Sequence, residues 1–239
     1  MRNKQLLSDL KFLVNSGVND FLDDKPKSKY TENKKKNLSS NENFHLSNLS
    51  KVDTIEELKG LVNRFEGCQL KNTAKNTVFS DGNSKSKIML VGEAPGRDED
   101  IQGIPFVGKA GQLLNKMLSA IDLDRSKVYI TNIIPWRPPE NRQPTTKEII
   151  MCLPFVQRHI EIINPQLLIL LGGTSAKALL MSDMGIMKLQ GKWHNYSSYG
   201  LANPILTRAI FHPAFLLRSP SYKKVTWEDL LAIQEKLSK

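Results

Sequence analysis

"KIMLVGEAPGRDED", residues 87–100, runs from a lysine through an apolar stretch into a Gly/Pro turn, then into the carboxylates Glu93, Asp98, Glu99 and Asp100. A short, continuously apolar run is what a strand buried on both faces requires, because helices cover both faces of a parallel sheet. Three more runs share the pattern: "VYITNII" (128–134), "LLILLGG" (167–173) and "ILTRAIF" (205–211). Helical periodicity flanks them over about 54–65, where Asp53 or Thr54 can cap, and over 111–121, 145–163 and 174–180. A final helix over 221–237 follows Pro220. Strands alternating with helices predict a three-layer α/β/α sandwich around a central four-stranded parallel sheet. Ligands of such sheets bind beyond the carboxyl ends of the strands, so the residues after each run are the ones to examine.

Outside these runs the chain is basic. It has 34 Lys+Arg against 24 Asp+Glu, a formal net charge of +10 over 239 residues. The isoelectric point near 9.5 favours a polyanionic partner, since cations near phosphates gain affinity by releasing condensed counterions. No stretch approaches the roughly 18 apolar residues that span a bilayer. The first residues do not read as a secretory signal, because Asp9 and Lys11 interrupt their apolar part. Two cysteines, Cys68 and Cys152, make no disulfide framework, so a reduced, cytoplasmic chain is expected. Leu6, Leu10, Leu13, Val14, Val18 and Leu22 form one helical stripe, predicting an N-terminal amphipathic helix within 1–23. Residues 24–51, rich in Lys, Asn and Ser, read as a flexible linker, and 52–239 as the globular domain.

Three of the four strand ends are unusually polar. The first continues as "GEAPGRDED" and "IQGIPFVGKAGQLL", the second as "TNIIPWRPPENRQPT", the fourth as "FHPAFLLR". Gly92 and Gly96 permit close backbone approach and Pro95 stiffens the turn. A nucleotide phosphate loop is excluded, because neither glycine fingerprint is present and four acids would repel phosphate. Phe106, between Pro105 and glycines, can stack on a planar base. Asn132 offers an acceptor and a donor suited to the O4/N3 edge of a pyrimidine. His212 can donate to an oxygen where negative charge develops.

In this order and at these spacings, "GEAPGRDED", "GIPFVGKAGQLL", "TNIIPWRPPENR" and "HPAFLLR" resemble the type-4 uracil-DNA glycosylases, a bacterial and archaeal branch of the uracil-DNA glycosylase superfamily. The resemblance runs from about Leu61 to Leu237. It implies hydrolysis of the N-glycosidic bond of deoxyuridine in DNA, single- or double-stranded, by base flipping, which initiates base-excision repair. It also implies site roles. Gly92, Glu93, Phe106, Asn132 and His212 would bind the uracil; Glu93, Glu99, Asp100, Asn141 and His212 would serve catalysis. Which of the three acids positions the water stays open. Leu216 or its neighbours would enter the gap left by the flipped base, and Arg218 would meet a phosphate.

The family holds a [4Fe-4S] cluster on four cysteines. Here Cys68 and Cys152 match two of those positions, while Phe65 and Trp136 stand at the others. Two thiolates cannot replace four ligands, so no metal cofactor is expected; Phe65 and Trp136 instead predict an apolar plug between the 60s segment and the 136–152 loop. A related branch traps its product through a histidine on an inserted basic loop, but "WRPPENRQPT" has neither insertion nor histidine, so ordinary turnover is expected. The expectation is therefore a monomeric glycosylase. Its rival is a catalytically weakened DNA-binding member of the same fold.

Overall fold

The computed structural model describes residues 49–238. The expected N-terminal helix, and all but the last residues of the expected linker, lie outside them. Leu49 and Val52 are buried in the core, so the packed domain starts slightly before the expected boundary.

In chain order the elements are α1 (Ile55–Arg64), α2 (Leu70–Thr73), β1 (Asp81–Gly82), β2 (Ile88–Gly92), α3 (Arg97–Gln102), α4 (Lys109–Ser119) and β3 (Tyr129–Asn132). They continue as α5 (Thr146–Ile163), β4 (Leu167–Leu171), α6 (Gly173–Leu180), α7 (Ile186–Leu189), β5 (Trp193–Tyr196), β6 (Ile205–Ile210), α8 (Pro213–Arg218) and α9 (Lys223–Leu237). The sheet order is β1-β3-β2-β4-β6-β5. β3, β2, β4 and β6 are parallel and are the four runs read from the sequence, while β1 and β5 pair antiparallel at the two edges. The short edge strands lack continuous apolar runs, which is why they escaped the pattern.

Alternation within the strands builds the three layers. Met89 and Val91 of β2 face one way, with Leu168 and Leu170 of β4, onto Leu58 and Val62 of α1 and Phe155 and Ile160 of α5. Ile88 and Leu90 face the other way, with Ile169 and Leu171, onto Leu114 and Leu118 of α4 and Leu230 and Ile233 of α9. Every residue of β2 and β4 is buried, as a sheet covered on both faces demands. Local signals agree with the tertiary ones. Thr54 caps α1 in a reciprocal box with Glu57, and Thr145 caps α5 in the same way with Glu148.

Candidate active site

The chain leaves β2 toward β3 on one side and later places β4 on the other, so the strand order reverses between β2 and β4. That reversal point is where an open α/β sheet forms a crevice. A cavity of about 430 Å³ opens there, lined among others by Glu93, Phe106, Asn132, Asn141, His212 and Arg218.

Asn132 ends β3 opposite Gly92 and is buried. Its side-chain Oδ1 is buried without a hydrogen-bond partner, which costs stability unless a ligand supplies a donor. Gly92 makes the wall beneath it: a Cβ there would lie 2.3 Å from Asn132 Oδ1 and 2.6 Å from the Phe106 ring. Only glycine fits. The Phe106 ring lies 5.6 Å from the His212 ring, at an interplanar angle of 32°.

His212 is the N-cap of α8, and its Nδ1 accepts the Ala214 backbone N–H at 3.1 Å. In the neutral ring the proton therefore sits on Nε2, the nitrogen left for a ligand. Burial, with Arg218 nearby, lowers its pKa to about 4, so the ring is neutral at pH 7. Gly172, at φ +97°, comes so close that a Cβ would sit 3.0 Å from that of His212.

The acids separate in space. Glu93 lines the cavity and accepts a hydrogen bond from the Thr174 hydroxyl across the β2–β4 crevice. Glu99 is also at the wall, but its oxygens are occupied: Oε2 accepts Gly96 N–H at 3.1 Å, and Oε1 accepts Val107 and Gly108 N–H at 3.0 and 2.9 Å. It caps α3 and ties the Phe106 loop to it. Asp100 departs from the expected grouping. It is outside the cavity lining, and its Oδ1 accepts Lys75 and Asn76 N–H at 2.8 and 3.3 Å, because one step along α3 turns the side chain to a different face. Asn141 lies at the rim, where its Oδ1 accepts Arg137 Nε–H at 2.7 Å. The rim loop is anchored by Arg142, which donates to both oxygens of Glu148 at 2.9 and 2.6 Å. That pairing lowers the Glu148 pKa to about 2.

On α8 the expectation for Leu216 is corrected. Leu216 is 1% exposed and belongs to the core against α4 and α9, whereas its neighbour Leu217 is 44% exposed. Arg218 is exposed at the cavity rim. Thr174 was missed by sequence reasoning, although it follows the end of β4 by three residues; only position, not composition, marked it.

On the α1/α5 face, Phe65 and Trp136 stack with ring centroids 6.2 Å apart, and Phe155 meets Phe65 edge-on at 4.9 Å. Trp136 Nε1 donates to the Thr77 hydroxyl at 3.1 Å. Cys68 and Cys152 are both buried beside them as free thiols. Their mutual hydrogen bond holds the Cys68 thiol below its ordinary pKa and, with burial, pushes that of Cys152 up. Two thiols bordered by packed rings do not fit a cluster that takes four thiolates. Among the described residues no group of three or more His, Cys, Asp or Glu could hold a metal ion, and no helix is long and apolar enough to cross a membrane.

The sequence profile of the Uracil DNA glycosylase superfamily matches residues 79–231, from just before β1 into α9. The chain is 41% identical over 192 residues to the type-4 uracil-DNA glycosylase of Saccharolobus solfataricus, covering 78% of this chain and 88% of the relative. It is 36% identical over 188 residues to that of Archaeoglobus fulgidus, covering 77% and 94%. Against that of Thermotoga maritima it is 34% identical over 184 residues, covering 76% and 93%. The matched span carries the three polar strand ends and the cavity they enclose, and the chain belongs to the type-4 branch of the uracil-DNA glycosylase superfamily.

Proposed function

We propose that this chain excises uracil from DNA by the following division of labour. The observation that carries the reading is the orphaned, buried Oδ1 of Asn132 at the cavity wall, over a glycine and beside an aromatic ring. Uracil offers the missing donor. Its N3–H meets Oδ1 and its O4 accepts from the same amide, whereas cytosine presents an acceptor at N3 and a donor at C4. A site built to hydrogen-bond one edge discriminates strongly against the reverse, because both buried partners are then left unpaired. Phe106 stacks on the extruded base.

As the glycosidic bond breaks, uracil becomes an anion and the sugar a cation. His212 Nε2–H donates to O2 as a neutral ring, so it stabilises the anion without transferring its proton. Of the three acids weighed from the sequence, Glu93 is the one we assign to the water. Thr174 holds one of its oxygens, and the other takes the proton as the water oxygen bonds C1′. Uracil leaves through N1 and picks up a proton from solvent. Glu99 and Asp100 act by holding loops, Asn141 by shaping the rim. Leu217 in place of Leu216 enters the gap in the duplex, and Arg218 meets a phosphate.

We further propose that the fold stands without the family's iron–sulfur cluster, an idea supported by the Phe65–Trp136 stack. The enzyme is read as monomeric and cytoplasmic.

The test is a uracil-containing oligonucleotide, single-stranded and opposite guanine, incubated with protein in EDTA and then treated with alkali. Strand cleavage at the uracil supports the reading; an intact strand across a wide range of enzyme concentration would favour the weakened DNA-binding alternative.

A further inference from the structure

Phe106 adopts φ +56°, a left-handed conformation that costs a bulky residue on the order of 1 kcal/mol or more and persists only where surroundings impose it. The surroundings hold the loop from two sides. Glu99 takes the N–H groups of Val107 and Gly108. Arg125 takes the carbonyls: its Nη2 donates to Pro105 O at 2.6 Å and its Nη1 to Phe106 O at 3.0 Å. The guanidinium is itself aimed. Arg125 Nε donates to Asp81 Oδ2 at 2.6 Å, its Nη1 reaches Asn115 Oδ1 at 3.2 Å, and Asp124 caps the turn that carries it through Ser126 N–H at 2.8 Å. Arg125 lies outside the cavity lining, behind the loop.

We infer that Arg125, aimed by Asp81, is a positioning residue that pre-organises the Phe106 ring for the flipped base. A planar guanidinium with five donors in a fixed fork can satisfy two consecutive carbonyls and a carboxylate together, which lysine cannot. Its contribution therefore reaches the substrate only through Phe106. The inference rests on Phe106 being the stacking surface for uracil.

The experiment is a double-mutant cycle of Arg125→Ala and Phe106→Ala, read as single-turnover excision from a uracil oligonucleotide, below the melting temperature of each variant. Arg125→Ala should slow excision about tenfold or more, Arg125→Lys should recover only part of it, and Arg125→Ala should add little once Phe106 is alanine. Losses that multiply, or an unchanged rate in Arg125→Ala, would overturn it. Asp81→Asn gives a milder variant should Arg125→Ala not fold. Its smaller loss, about threefold, should likewise vanish in the Phe106→Ala background, and a loss that persists there would count against the inference. The same cycle read as affinity for an oligonucleotide bearing non-hydrolysable 2′-fluoroarabino-deoxyuridine separates this inference from the catalytic reading. Coupling in affinity without excision refutes only the chemistry; independent effects refute the role of Arg125.

Discussion

The base pocket and the Phe65–Trp136 corner lie on the same domain, yet they treat the family pattern in opposite ways. In the pocket Gly92, Glu93, Phe106, Asn132 and His212, the residues to which the resemblance assigns the base, converge. At the corner the resemblance implies four thiols, and the two positions without cysteine hold the rings of Phe65 and Trp136, which stack and fill the space themselves. The difference follows from what each region must do. Recognising a base edge needs particular donors and acceptors at particular points, and no other residue reproduces them. Joining α1 to the loop before α5 needs only stable contact, which a cross-link or packed apolar area can both provide.

That contrast can be broken at its strongest point by Trp136→Ala. Truncating a fully buried tryptophan at the plug should cost about 3–5 kcal/mol of unfolding free energy while leaving excision by the folded protein within a few-fold. Denaturant titration and a rate measured at low temperature would check both halves; a lost rate with unchanged stability would reverse the assignment. In the pocket, Asn132→Asp should behave in the opposite sense. It keeps the fold while lowering uracil excision about a hundredfold or more, because a carboxylate then faces O4 in place of an amide donor. Unchanged base preference would remove Asn132 from the recognition edge.

A third expectation concerns pH. Burial holds His212 near about 4 and His159, fully buried against Phe79 and hydrogen-bonded to Tyr129, near about 3, both below the ordinary 6.5. The unfolded chain therefore binds more protons between those values, so stability is fully present above about 6.5 and falls as pH drops toward 4. Each should remove on the order of 2 kcal/mol between pH 7 and 5, readable by denaturant titration. The single-turnover rate should show no inflection near 6.5 from His212, which stays neutral there. The smallest effect concerns metal. Growth without added iron, or treatment with chelator, should leave both melting temperature and excision rate unchanged. A brown visible absorbance in protein purified without oxygen would show that the two thiols do hold a cluster with other ligands.

The four central strands, the helices that cover them and the polar strand ends were legible because each is a local signal: an apolar run, a 3.6-residue period, a glycine–proline turn. The identities of Asn132, Phe106 and His212 as pocket residues followed from where those strands end. Sequence alone could not separate Glu93, Glu99 and Asp100, which are close in the chain and chemically alike. The fold separates them, because successive helical positions point to different faces and three backbone N–H groups occupy Glu99. It likewise decided between Leu216 and Leu217, adjacent leucines of which only the first faces the core.

By itself the sequence determined the layer architecture, the polar strand ends and the presence of only two cysteines, since these depend on residue type and spacing along the chain. Only the tertiary structure decided that Asp100 turns away from the cavity while Glu99 is held by loop N–H groups, that Thr174 reaches Glu93 across the sheet and that Arg125 grips the Phe106 loop. Those contacts join residues 81, 19 and 20 positions apart, and no local pattern encodes a distance that exists only after the chain has folded.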